Sequence, residues 1–227
     1  MLKYTTLLLI AALATFPLAA KENFSLKVEK KAPPEKLSED IKTKIAGLSH
    51  QISDDKGLFF EFWFVKEIPL RGFADTTQKT MNKIEEITLL GAAIVYENKE
   101  GYTDFREDPI DPGLYIMRLS LQPQDGNHLG TSPFDTFAIL VPYQKDAEVL
   151  EFMDPEIMVE IASEDTPAEH PPILSLHPLE KAEGHFPRLD HSDEEAWHFL
   201  LLKLSGKVGE EKRDMAVKLV FEGIGDL

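Results

Sequence analysis

The run GLFFEFWFVKEIP, Gly57–Pro69, is apolar on both of the faces that a β-strand presents. Phe60, Phe62 and Phe64 fall on one face, and Phe59, Trp63 and Val65 fall on the other together with Glu61. A strand of this kind must be covered on both sides. That demands a sheet with a core beneath it and more protein above it. Glu61 then sits inside a buried strand and needs a partner. Arg71 and Arg118 are the expected cations, and a structural ion pair is preferred here to a catalytic acid.

Other segments share the two-residue period. Thr88–Glu97 reads as an apolar strand, with Gly91 marking a bulge or a close contact. Leu114–Leu121 alternates, Gly101–Arg106 and Phe134–Val141 are strand-like, and Ile173–His177 makes a short strand. Trp197–Ser205 and Met215–Glu222 flank a polar hairpin loop. DPIDPG, Asp108–Gly113, reads as a turn. Helical signals are few. Ser38 can cap a helix whose stripe is Leu37, Ile41, Ile45 and Leu48. Asp154-Pro155-Glu156 is a helix start. Thr76–Glu86 is ambiguous between a loop and a short helix. The predicted class is mainly β, an antiparallel β-sandwich or jelly roll with two or three short helices. A partly open barrel is the alternative.

The first twenty residues read as a signal peptide: Lys3, an apolar run from Leu7 to about Phe16, and a small-residue end at Ala19-Ala20. Residues 21–36, lysine-rich and ending in Pro33-Pro34, read as a flexible tether. Residues 37–227 then form a single domain. The expected location is exported, periplasmic or extracellular, with no membrane span after cleavage. There is no cysteine, so the fold relies on burial and not on disulfides. The net charge is −16, which argues against nucleic acid and anionic membranes as partners. A protein, a glycan or a small molecule remains.

The segment most suggestive of a site is LSLQPQDGNHLGTSPFDTFAILVP, Leu119–Pro142. Prolines restrict the loop at Pro123 and Pro133, and Gly126 and Gly130 allow close backbone approach. Asp125, His128, Ser132 and Asp135, with Arg118 on the preceding strand, are the ligand-binding candidates. His128 and Asp125 are also candidate ligands for a divalent metal, the one cofactor this loop suggests. A third ligand would come from His170, His177, His185, His191 or His198. A triad from Asp125, His128 and Ser132 is disfavoured, because one short loop rarely supplies nucleophile, base and orienter together. Trp63 and Trp197 sit in apolar strands and read as core and not as sugar platforms. Satisfying buried backbone is the simpler role for the loop's polar groups.

The run IDPGLYIMRLSLQPQDGNHLGTSPFDTFAILVP, Ile110–Pro142, resembles the core of a family of uncharacterised exported proteins from environmental bacteria. In that family a Pro-Gly turn leads into a strand, then a Q-P-x-D-G-x-H-x-G-x-S-P loop, then a strand ending in Leu-Val-Pro. EFWFVKEIP (Glu61–Pro69) and, more loosely, HPPILSL (His170–Leu176) extend the likeness to about half the mature chain. The resemblance implies export and a β fold and brings no activity with it. The expected function is a non-enzymatic binding or accessory module. The alternative is a metal-binding protein or metal-dependent enzyme that uses residues 122–135.

Overall fold

A computed structural model describes residues 23–97, 101–122, 134–164, 166 and 170–223. In chain order these hold β1 (Ser25–Lys30), α1 (Glu39–Lys44), β2 (Leu48–Ser53), β3 (Leu58–Phe64), β4 (Ile68–Pro69), α2 (Thr77–Met81), β5 (Leu89–Val95), β6 (Tyr102–Thr103) and β7 (Pro109–Ile110). Then come β8 (Gly113–Leu121), β9 (Thr136–Pro142), α3 (Asp146–Phe152), α4 (Pro155–Ser163), β10 (Ile173–Pro178), β11 (Arg188–Ser192), β12 (Trp197–Val208) and β13 (Glu211–Glu222). Eleven strands join one sheet in the order β1-β2-β3-β5-β8-β9-β10-β13-β12-β11, with β4 added to β12. Every pairing in it is antiparallel except β4 with β12. The mainly β, mostly antiparallel class is the one the alternation predicts. Four short helices accompany it among the described residues, where two or three were expected.

Period two sorts each strand into an inner and an outer row. Phe60, Phe62 and Phe64 of β3, Met117 and Leu119 of β8, Leu174 and Leu176 of β10, and Leu200, Leu202 and Leu204 of β12 all meet in one core. A single core fed by strands from across the sheet requires the sheet to curl. Its ends do approach: Phe24, just ahead of β1, packs edge-on against His198 of β12 at 4.8 Å and Phe221 of β13 at 5.1 Å. Gly91 permits the closest approach inside the sheet. A Cβ there would lie 2.1 Å from the Trp63 carbonyl oxygen, and the register slips between Leu89 and Gly91.

The outer row is covered by separate pieces. Leu37, Ile41 and Ile45 around α1 cover Trp63, Ala92 and Ile116. Val149 of α3 and Met158, Ile161 and Ala162 of α4 cover Phe137, Ile139 and Ile173. Leu179 and Phe186 pack on Phe199, Leu201 and Val220. These layers supply the second cover that the doubly apolar β3 requires.

Four expectations are revised. The stretch read as a tether contains β1, because Leu26 and Val28 alternate with lysines and their backbone pairs with β2 from Ser25↔Ser53 to Lys30↔Leu48. Leu48 leaves the α1 stripe and opens β2; the helix ends at Lys44, and Ile45 bridges to Val65. Within DPIDPG, Pro109–Ile110 forms β7 against β6. Glu61 is paired, but with Lys31 and not an arginine; Arg71 bonds Glu85 and Arg118 bonds Asp146. The Ser38 and Asp154 caps stand as expected, each accepting from backbone N–H groups of its helix's first turn.

Candidate functional site

The outer row between β8 and β11 is set by register. Ser120 of β8 faces Phe137 of β9, which faces Ser175 of β10, then Val220 of β13, Phe199 of β12 and Asp190 of β11. One step along, His177 faces Lys218, then Leu201, then Arg188. Residues in such rows share a face and touch across strands.

Ser175 and His177 stand two apart on β10 and therefore point the same way. The Ser175 Oγ and His177 Nε2 are 2.8 Å apart, and each residue is 3% exposed. The rings of Phe134 and Trp197 lie 4.9 and 5.1 Å from the imidazole. Burial first, and then the charge of Lys218, pull the His177 pKa down to about 4. The ring is neutral near pH 7 and its Nε2 can accept the serine proton. A hydroxyl and a neutral imidazole in this geometry are the first two members of a nucleophile–base–orienter array. Both residues are buried, with the two aromatic rings packed against the imidazole.

A concavity opens on either side of this pair. The first, about 150 Å³, lies between the sheet, α4 and the Phe105–Arg106 segment. Its walls are Phe105, Leu121, Phe137, Ile139, Val159 and Ile173. Phe105 and Phe137 stack at 5.8 Å with 5° between ring planes. Arg106, Gln122 and His170 provide polar groups. Arg106 is fixed by its Nη2, which donates to the Pro171 carbonyl at 2.8 Å, and by its Nε, which donates to Asp104 at 3.1 Å. Burial raises the Asp104 carboxyl pKa against the opposing pull of Arg106. The second concavity, about 340 Å³, lies over β11, β12 and β13.

Of the residues singled out from the sequence, Asp125, His128 and Ser132 lie outside the described residues, as does segment 1–20, which the sequence reading took as a signal peptide. Asp135 is exposed, and its carbonyl accepts from the Gln122 N–H at 2.7 Å, which closes the base of the loop. Arg118 is buried. Its Nε and Nη2 donate to the two oxygens of Asp146 at 2.6 and 2.9 Å, and its Nη1 donates to the Ile87 carbonyl at 2.8 Å. It ties α3 to the sheet. Of the candidate third ligands, His170 lines the first concavity near Gln122, and His177 packs beneath Phe134. His191 and His198 stand 6.0 Å apart near the sheet's end. Among the described residues, no three His, Asp or Glu side chains gather as a metal would need. Trp63 is core, and Trp197 is half-buried against His177.

Glu61 forms a separate, closed cluster. Lys31 Nζ donates to both its oxygens at 2.7 and 2.9 Å, the Tyr96 hydroxyl donates at 2.6 Å, Gln51 Nε2 at 3.0 Å, and the Ser49 hydroxyl also donates. Burial alone would raise this carboxyl pKa. The donors, led by Lys31, outweigh that and hold it below the usual range. Burial and the neighbouring carboxylate push the Tyr96 phenol up.

The Ser175–His177 pair was within reach of the sequence, since ILSLHP alternates and places both on one face. The concavities were not, because their walls join residues far apart in the chain. No family model, no curated protein and no solved structure matches the chain. No helix among those described is long and apolar enough to cross a membrane.

Proposed function

We propose that the protein is an exported binding module, and that the concavity between β8, β9 and α4 holds a small, largely apolar molecule. The lining carries this reading: two stacked phenyl rings and four aliphatic side chains, with Arg106, Ser120, Gln122 and His170 among the polar groups. Ligand sites combine apolar walls with a few placed polar groups in this way. Arg106 is already held in place by Asp104 and the Pro171 carbonyl, so binding need not order it. Export is supported by the apolar N-terminal run and by the likeness of Ile110–Pro142 to exported proteins.

The test is amide-resolved NMR titration of Lys21–Leu227 with benzene, a neutral one-ring probe of a size that a cavity of this volume takes. Saturable shifts are expected at residues 105–106, 137–139, 159 and 170–173. Val159→Trp, which fills the concavity from α4, should remove them without lowering the melting point. No saturation in the wild type, or an unchanged curve in the variant, sinks the reading. Metal content of the same untagged sample tests the alternative through His128 and Asp125. Stoichiometric metal that His128→Ala abolishes would favour it.

A further inference from the structure

The second concavity has a different chemistry. Its apolar walls are Leu179, Phe186, Phe199 and Leu201, and Lys181, Arg188 and Lys218 line it as well. Lys203 joins them over the Phe186 ring. The three cation–ring distances are 5.4 Å for Lys203 Nζ to Phe186, 5.2 Å for Arg188 Cζ to Phe186, and 4.6 Å for Lys218 Nζ to Phe199. Against these four cations stand two lining carboxylates, Glu183 and Asp190.

This concentration runs against the composition of the chain, in which 40 acidic residues face 24 basic ones. Some lysines elsewhere pair with carboxylates: Lys31 with Glu61, Lys42 with Glu39, Lys145 with Glu164, and Lys207 and Lys212 with Glu67. Lys181, Lys203 and Lys218 have no ion-pair partner among the described residues. Lys181 and Lys218 line the hollow, and Lys203 lies over the ring of Phe186 in its wall. Arg188 is fixed as well: its Nη1 donates to the carbonyls of Glu183 and His185 at 3.1 and 2.9 Å, and its Nη2 lies 4.0 Å from Asp190. An apolar wall lowers the local dielectric and strengthens the attraction of such cations for an anion.

We infer that this hollow is a second binding site, for a small free organic anion whose carboxylate sits on a ring-sized apolar body. The carboxylate meets Lys181, Lys203 and Lys218, and the ring lies on Phe186, Phe199 and Leu201. A volume of about 340 Å³ admits a one- or two-ring molecule. Neither half of the ligand suffices alone, since the cations need charge and the walls need apolar surface. The site is independent of the concavity beside Gln122 and stands or falls separately.

The experiment is an amide-resolved NMR titration of Lys21–Leu227 with three probes: 2-naphthoate, 2-naphthalenemethanol and acetate. Saturable shifts with naphthoate are expected at residues 179–188, 199–203 and 218. The alcohol and acetate should bind at least ~10-fold more weakly, because each lacks one of the two contacts. Lys203→Met/Lys218→Met should weaken naphthoate at least ~10-fold. Should that double variant fail to fold, Lys181→Glu on the exposed segment should weaken it in the same direction. No saturation, equal binding of the alcohol, shifts confined to other surfaces, or unchanged affinity in the folded variants would overturn the inference.

Discussion

At the scale of single residues, two buried titratable groups show how the outer layer is held. Glu61 is fully buried and accepts from Lys31, Ser49, Gln51 and Tyr96, which come from or flank β1, β2 and β5. Removing it leaves several donors without an acceptor, although Lys31, 44% exposed at its side chain, keeps access to water. Glu61→Ala should therefore cost about 3 kcal/mol in urea unfolding, the low end for breaking a buried pair. A loss under ~1 kcal/mol would show the cluster to be idle.

His177 gives a pH signature. Its folded pKa is depressed from 6.5 to about 4, so the unfolded chain binds the proton more readily. Its contribution is fully present above about pH 6.5 and is lost as pH falls towards 4. About 2 kcal/mol should disappear between roughly pH 7 and pH 5, above most carboxylate titration. His50, also depressed by burial, adds to the same slope. His177→Gln should flatten the dependence of urea-unfolding free energy on pH in that window. An unchanged slope would place the effect elsewhere.

At the scale of elements, the sequence was most legible where one physical rule dominated. The Ser38 and Asp154 caps, the doubly buried β3 and the close contact at Gly91 follow from local chemistry and strand periodicity. β1 and β11 were missed because SLKVEK and RLDHS are mostly polar and contain no buried residue. Their place in the sheet comes from backbone pairing with a neighbour, which composition does not report. α3 was missed for a related reason. Lys145 at its start makes no side-chain cap bond, and the helix is anchored by the long-range Arg118–Asp146 pair. The same limit hid the concavities, whose walls converge only through register. β1 carries its own prediction. A chain starting at Leu37 loses both the cover over the β2 edge and the Lys31 partner of Glu61. It should melt lower and aggregate more than Lys21–Leu227, because an uncovered edge strand invites pairing with another chain. Equal melting and solubility would restore the view of residues 21–36 as a mere tether.

At the scale of the whole molecule, charge and shape pull apart. The curled sheet places one core inside, and the chain as a whole carries 40 carboxylates against 24 lysines and arginines. Exposed ion pairs such as Arg71–Glu85 and Lys145–Glu164 each contribute at most about 1 kcal/mol and weaken with salt. Net repulsion also weakens with salt, and it acts over longer distances. The screening length shrinks from about 30 Å at ~0.01 M to about 8 Å at ~0.15 M ionic strength. With so large an acidic excess, relief of repulsion outweighs the loss of surface pairs. The melting point of Lys21–Leu227 should rise as sodium chloride increases over that range. The lysine-lined hollow sharpens the test. Lys203→Met/Lys218→Met makes the net charge more negative by two, so the variant should show a steeper rise. A melting point that falls with added salt would mean that local ion pairs, and not the net charge, set the stability of this surface.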